Sequence, residues 1–386
     1  MTRQPPSLPA PLRAIAEQVN RAPAVDTNLA DLQPGWADYI RQAKAQVPGL
    51  QVEAGGENVY WGGLSPGCQA CKAGTWDCIF ITLRCNLACG FCYSPQALPE
   101  DYAGSALGAT PEQIVANQAR IGITGIGFSG GEPFLEPQKL LEWVGWFKSR
   151  RPDQYAWAYT NGLLAHEAPL RQLGQLGLDE LRFNLAATGY THPAVMKNLA
   201  LAARCIPTIT VEIPAIPEEA AKLLASLAAW CEAGVKFLNL HELIYEPDTR
   251  AASLAGRRQG VCLADGHRTA INPESRQVTL AVLRKAQAEN LPLAINDCSL
   301  QSKLRQLRGR RRTLAPLTKA PYEKLVDEAT LESYCHYRDA QEYGFCHPDE
   351  VDGWRADHPQ DAWVRLLRLA PLALQGQSQW IACENC

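Results

Sequence analysis

No run of apolar residues in this 386-residue chain reaches the ~18 expected of a membrane-crossing helix. The opening residues, MTRQPPSLPAPL, lack the apolar core of an export signal. There is little net charge either. Lys and Arg number 37 against 40 Asp and Glu, a formal charge of −3, which gives no global attraction to nucleic acid or to an anionic membrane. Together these absences set a cytoplasmic, reducing location as the expectation. A composition of 46% hydrophobic and 20% charged residues is ordinary for a globular protein, and the length suits one large barrel or two smaller domains.

Cysteine, by contrast, is abundant, with fourteen in the chain. A secreted disulfide framework is a poor explanation, because the chain is far too long to need staples. Cys205, Cys231 and Cys262 stand singly and read as core thiols. The others cluster at short spacings, as metal ligands do.

The first fifty residues are rich in Pro and Ala, with one helix expected near Trp36–Val47 and no chemistry. Gly55–Cys78 is Gly- and Cys-rich and reads as an ordered loop. From Cys78 onward, strand-like runs occur near Ile79–Leu83, Ile123–Phe128, Ala156–Thr160, Glu180–Leu185, Thr208–Ile213 and Lys236–Leu240. Segments of helical period lie between them. Thr110-Pro111-Glu112-Gln113 reads as a capping box. Leu140, Leu141, Val144 and Phe147 have the spacing of a buried helix face, as do Leu223, Leu224, Leu227 and Trp230. Six strand–helix alternations predict βα units and a parallel sheet. A TIM-like partial (β/α)6 barrel fits the count, with a doubly wound sheet as the rival. Glu246–Glu274 reads as an inserted loop, Val278–Glu289 as a helix and Leu293–Asn296 as a last strand. The expected organisation is an N-terminal extension over 1–77, a barrel over 78–297 and a Cys-containing C-terminal extension over 298–386.

The motif that carries chemistry is Cys85-Asn86-Leu87-Ala88-Cys89-Gly90-Phe91-Cys92, directly after the first expected strand. Three thiolates at this spacing can cap three corners of a [4Fe–4S] cube, whose usual complement is four cysteines. The fourth iron would stay open, which marks a catalytic rather than a closed structural site. A zinc knuckle completed by a nearby fourth ligand is the alternative on spacing alone. In βα barrels catalytic groups sit at the C-terminal ends of strands, where this loop begins.

These residues resemble the radical S-adenosylmethionine (SAM) superfamily, whose hallmark is Cys-x3-Cys-x2-Cys with an aromatic residue, here Phe91, before the last cysteine. Gly130-Gly131-Glu132-Pro133, one βα unit later, matches a second hallmark, which in the family contacts the amino group of SAM. An exposed strand-end carboxyl at Glu132 would suit an ammonium. The resemblance covers about 78–296 and looks like a branch similar to pyruvate formate-lyase activating enzymes. It implies a SAM-binding [4Fe–4S] cluster, reductive cleavage of SAM to a 5′-deoxyadenosyl radical, and a flavodoxin or ferredoxin as low-potential electron donor. It also implies SAM contacts from Thr160 and Asn161 at the third strand and from Arg182 and Asn184 on the fourth. Nothing resembles a cobalamin-binding domain.

Polar groups inside apolar strands are costly unless paired or functional. Glu212, His241 and Glu242 are therefore candidates for substrate binding or proton handling. Cys68-x2-Cys71 and Cys383-x2-Cys386 form a CxxC…CxxC pair that could hold an auxiliary cluster or zinc, with Cys298, Cys335 and Cys346 as competing ligands; Cys78 reads as a core residue. Lys303, Arg305, Arg308, Arg310, Arg311 and Arg312 concentrate positive charge. They read as a solvated helix face, with RNA phosphates or a carboxylate substrate as alternatives. The leading expectation is hydrogen abstraction from a peptide, protein or amino-acid-like substrate. The alternatives are RNA modification and a non-catalytic iron–sulfur or zinc protein.

Overall fold

The computed structural model describes residues 8–20, 29–94, 98–246, 249–262, 268–372 and 379–384. No helix among them is long and apolar enough to cross a membrane. The chain forms two compact units. One comprises 27–261 and 268–306; the other comprises 1–26, 262–267 and 307–386.

The larger unit is built on a nine-stranded sheet. Its strands are β1 (Gln51–Glu53), β2 (Asn58–Trp61), β3 (Trp76–Thr82), β4 (Gly125–Gly130), β5 (Tyr155–Thr160), β6 (Glu180–Phe183), β7 (Thr208–Ala215) and β8 (Phe237–Glu242). A separate pair, β9 (Gln259–Cys262) and β10 (Arg268–Ile271), precedes the last strand, β11 (Ala294–Cys298). The order is β1-β2-β11-β8-β7-β6-β5-β4-β3. All pairings from β3 to β8 and on to β11 are parallel, whereas β2 is antiparallel to β11. Each of the expected strands is present. Because β3 to β8 pair each with the next and β8 then pairs with β11, the parallel order never reverses direction as a doubly wound sheet does.

The crossover helices follow the sequence signals. Thr110 Oγ1 accepts from Gln113 N as expected of the cap, while the Gln113 side chain accepts from Ala109 N, one residue before the cap, rather than from the N–H of Thr110. Leu140, Leu141, Val144 and Phe147 are buried on helix Pro137–Arg150, and Leu223, Leu227 and Trp230 on Ala220–Glu232. Strand alternation fills the interior. Cys78 on β3, Trp157 on β5, Arg182 on β6, Glu212 on β7, Asn239 on β8 and Asn296 on β11 all line one cavity of about 150 Å3. On a flat sheet β3 and β11 would lie six spacings, about 29 Å, apart. The sheet must therefore curl around this interior. Helix Pro66–Ala73, capped by Ser65, packs on β3, β4 and β5. Gly67 lets it come close, since a Cβ there would stand 2.3 Å from the Arg182 guanidinium.

The smaller unit is an antiparallel sheet that the sequence reading did not anticipate. Its strands are β12 (Lys324–Leu325), β13 (Thr330–Tyr337), β14 (Tyr343–Cys346), β15 (Ala362–Leu369) and β16 (Gln379–Glu384). Seven of the eight residues of β13 are buried, so no alternation marks it. Helix Ala10–Asn20 belongs here. Its Leu12 and Ile15 pack with Cys335, Val364 and Leu366. Helix Leu300–Thr318 carries the basic run, and the chain passes from one unit to the other within it. The run is not one solvated face. Arg310 and Arg311 are buried, Arg311 donates to the Ala370 carbonyl, and Arg312 pairs with Glu328.

Candidate active site

The loop after β3 carries Cys85, Cys89 and Cys92, and all three line a cavity of about 390 Å3 at the C-terminal ends of the strands. The backbone binds their sulfurs directly: Leu87 N donates to Cys85 Sγ and Ser94 N to Cys92 Sγ, each at 3.4 Å. Such N–H···S bonds are among the features that tune iron–sulfur clusters. Burial pushes the Cys89 thiol up to about 11 and raises Cys85 as well. Loading a metal group onto these thiols therefore releases protons. Three cysteines lining one cavity, two of them with N–H donors to sulfur, suit a cluster with one uncapped iron. Among the described residues no three Cys, His, Asp or Glu side chains converge tightly enough for a single ion.

The Gly130-Gly131 turn holds this loop in place. Gly131 N donates to the Thr82 carbonyl and Glu132 N to the Arg84 carbonyl, both at 2.8 Å. A Cβ on Gly131 would stand 2.1 Å from the Arg84 oxygen, and one on Gly130 would stand 1.9 Å from the Thr82 oxygen at φ +126°. Only glycine permits this approach. Both glycines line the cavity; Glu132 and Pro133 do not.

The carboxyl of Glu132, expected to be exposed, is instead fully buried. It accepts from Asn161 N at 2.7 Å, Thr160 Oγ1 at 2.9 Å and Phe134 N at 3.1 Å. Burial lifts it to about 7, and the three donors pull the other way. Its role is to tie the end of β4 to the end of β5. Thr160 and Asn161 do line the cavity, and Asn161 Nδ2 donates to Asn86 Oδ1 at 2.7 Å, reaching back to the cysteine loop.

Asn184 also lines the cavity; its Oδ1 accepts from Ala187 N at 3.2 Å. The floor is a charged group. Arg182 pairs with Glu180 at 2.9 Å and with Glu212 at 2.8 Å, with its guanidinium over the Trp157 ring. Glu212 also accepts from Asn239 Nδ2 at 2.9 Å and contacts His241 Nε2 at 2.9 Å. Burial would raise Glu212, but Arg182, His241 and Asn239 outweigh it and hold the carboxyl well below its usual range. Burial lowers His241, against the hydrogen bond to Glu212, so its ring is neutral near pH 7. An ionised carboxylate only accepts, which places the proton on Nε2 and leaves Nδ1 as an acceptor.

Glu242 belongs elsewhere. Strand parity turns it away from Asn239 and His241, and its buried carboxylate accepts from Leu300 N at 2.8 Å. Phe91 lies on the wall as expected, beside residues the sequence reading missed: Tyr93, Ser129 and Tyr159. Tyr159 was legible by parity, two residues before the strand-end Asn161.

The remaining cysteines separate. Cys68 and Cys71 line the smaller cavity with Cys78 and Cys298. Cys335 and Cys346 are buried in the smaller unit on β13 and β14. Cys383 on β16 is disulfide-bonded, and Cys386 lies outside the described residues.

A family described as a 4Fe-4S single cluster domain matches residues 73–172, the span of the cysteine loop and the Gly-Gly turn. A Methanocaldococcus jannaschii protein named as a glycyl-radical enzyme activating enzyme is 27% identical over 278 residues, 69% of this chain and 72% of its own. The chain is similar to radical SAM enzymes. Other relatives match over shorter spans. The PqqA peptide cyclase of Gluconobacter oxydans is 35% identical over 27% of this chain and 28% of its own. The GTP 3′,8-cyclase of Mycobacterium marinum is 34% identical over 31% and 33%. Among solved structures, Streptococcus suis SuiB bound to S-adenosylmethionine aligns with TM-score 0.44 and 13% identity, covering 58% of this chain and 50% of its own.

Proposed function

We propose that the chain is a radical SAM enzyme that abstracts hydrogen from a peptide, protein or amino-acid-like substrate held in the 390 Å3 cavity. The observation that carries the reading is the convergence of Cys85, Cys89 and Cys92 on one cavity with the strand-end groups of β4 to β8. The curled parallel sheet supports reading the fold as a partial (β/α)6 barrel with extensions at both ends.

In this reading Cys85, Cys89 and Cys92 hold the cluster, and SAM lies against the Gly130-Gly131 backbone, Thr160, Asn161 and Asn184. The bound cluster and SAM supply reductive cleavage to methionine and a 5′-deoxyadenosyl radical, with the electron coming from flavodoxin or ferredoxin. The protein's own groups orient and shield. Phe80, Phe91, Tyr93, Ile213 and Pro214 give apolar walls that exclude water from a reactive centre. His241, neutral and fixed by Glu212, offers Nδ1 as a proton acceptor at the floor. Arg182 is already paired twice, so it orders the floor rather than binding a substrate carboxylate.

A peptide class is supported by the sequence relationship to a peptide cyclase, and by a basic run whose buried arginines do not form a phosphate-binding face. The test is to give the anaerobically reduced protein SAM and peptides deuterated at Cα and Cβ, then weigh the 5′-deoxyadenosine by mass spectrometry. Deuterium in the product supports the reading. Deuterium transferred only from labelled RNA or nucleosides contradicts it.

A further inference from the structure

Below the reaction cavity lies a second one, of about 150 Å3, that the radical reaction leaves unexplained. The two share Tyr159, Arg182, Glu212 and His241 as walls, so one layer of side chains separates them. Four thiols face this lower cavity: Cys68 and Cys71 from helix Pro66–Ala73, Cys78 from β3 and Cys298 from the end of β11. They come from three elements spread over 231 positions of sequence, and the curled sheet brings them together.

We propose that Cys68, Cys71, Cys78 and Cys298 hold a second, fully ligated [4Fe–4S] cluster inside the sheet, separate from the cluster of Cys85, Cys89 and Cys92. Four thiols match the usual complement of such a cluster. The size of the space favours a cluster over a single ion. A zinc held at ~2.3 Å by four sulfurs leaves no cavity between them. Here the space is about ten times the ~10–15 Å3 needed for one water. Among the described residues no three such side chains lie close enough for one ion.

The lining also anticipates negative charge. Lys72 is buried at the cavity wall, donates to Ser302 Oγ at 2.8 Å and has no carboxylate within ion-pair distance among the described residues. A buried ammonium needs a counter-charge, and a cluster held by four thiolates is a net anion. Trp157 Nε1 is a buried donor on the same wall without an acceptor. Donors to cluster sulfur are already close: the Asn296 amide and Arg182 each stand 3.9 Å from Cys68 Sγ, and Gln306 stands 3.8 Å from Cys298 Sγ. This assignment replaces Cys383 and Cys386 in the expected ligand set with Cys78 and Cys298.

The test counts iron, sulfide and zinc on the full chain reconstituted without oxygen. The wild type should carry about eight irons and the Cys85→Ser/Cys89→Ser/Cys92→Ser variant about four, with a reduced-cluster electron paramagnetic resonance signal that SAM does not shift. Should that variant misfold, Cys71→Ser/Cys298→Ser carries the test: iron falls by about half, while Cys205→Ser/Cys231→Ser leaves it unchanged. No iron in the folded triple variant, one zinc per chain in place of iron, or an iron count unmoved by Cys71→Ser/Cys298→Ser overturns the proposal. None of these outcomes depends on the substrate reading.

Discussion

Replacing Gly131 by alanine tests the cysteine loop's anchorage most sharply. The new Cβ would sit 2.1 Å from the Arg84 carbonyl oxygen and 2.5 Å from that of Leu83. Neither is a flexible side-chain tip. The Arg84 oxygen cannot swing away freely, because it accepts from Glu132 N, and the neighbouring Thr82 oxygen accepts from Gly131 N. Relief therefore means separating β4 from the loop. Overpacking costs about 1–3 kcal/mol, and two weakened backbone hydrogen bonds add about 0.5–1.5 kcal/mol each. The expected loss is about 2–6 kcal/mol, a large part of the ~5–15 kcal/mol that holds a domain together. Urea unfolding of Gly131→Ala against wild type measures it, and iron binding by the first cluster should fall in parallel. Gly353→Ala is the control. It lies in helix Val351–Asp357 with open space around its Cα, so alanine should stabilise by about 0.5–1 kcal/mol. A Gly131→Ala protein as stable and as iron-loaded as wild type would refute the reasoning.

Other consequences follow from buried charge and thiols. Arg182→Met strands Glu180 and Glu212 in the interior and should cost about 3–5 kcal/mol in urea unfolding; a loss under 1 kcal/mol counts against the paired floor. Glu132, lifted to about 7 from 4.5, favours the folded state while protonated. That contribution is present below about pH 4.5 and is lost as pH rises through about 7, so Glu132→Gln should flatten the slope of stability across this window. An unchanged slope would show that the three donors keep Glu132 ionised. Cys335→Ser buries a hydroxyl among Leu12, Val364 and Leu366 and should cost about 1–3 kcal/mol, while iron content stays at the wild-type value; lost iron would make Cys335 a ligand.

The parallel strands were legible because their alternation and β-branched content survive in single stretches of sequence. The cysteine loop was legible because all three thiols lie within eight residues. What was hidden depends on partners distant in sequence. Glu132 reads as an exposed strand-end acid until Thr160 and Asn161, 28 and 29 residues later, supply the donors that turn it inward. His241 and Glu242 looked alike as polar breaks in an apolar strand, although strand parity alone could have separated them. Cys298 lies 230 residues from Cys68, and only the curl of the sheet brings it to the same cavity. The sheet of the smaller unit escaped notice because β13 is buried on both faces and has no alternation to read.

The central claim, SAM cleavage at a cluster held by Cys85, Cys89 and Cys92, meets its most direct test in one product. The reconstituted protein is reduced without oxygen, given SAM and assayed by liquid chromatography for 5′-deoxyadenosine. The wild type should form it together with methionine, and the Cys85→Ser, Cys89→Ser and Cys92→Ser proteins should form none. Product from any of the three variants, or none from fully iron-loaded wild type, would contradict the account.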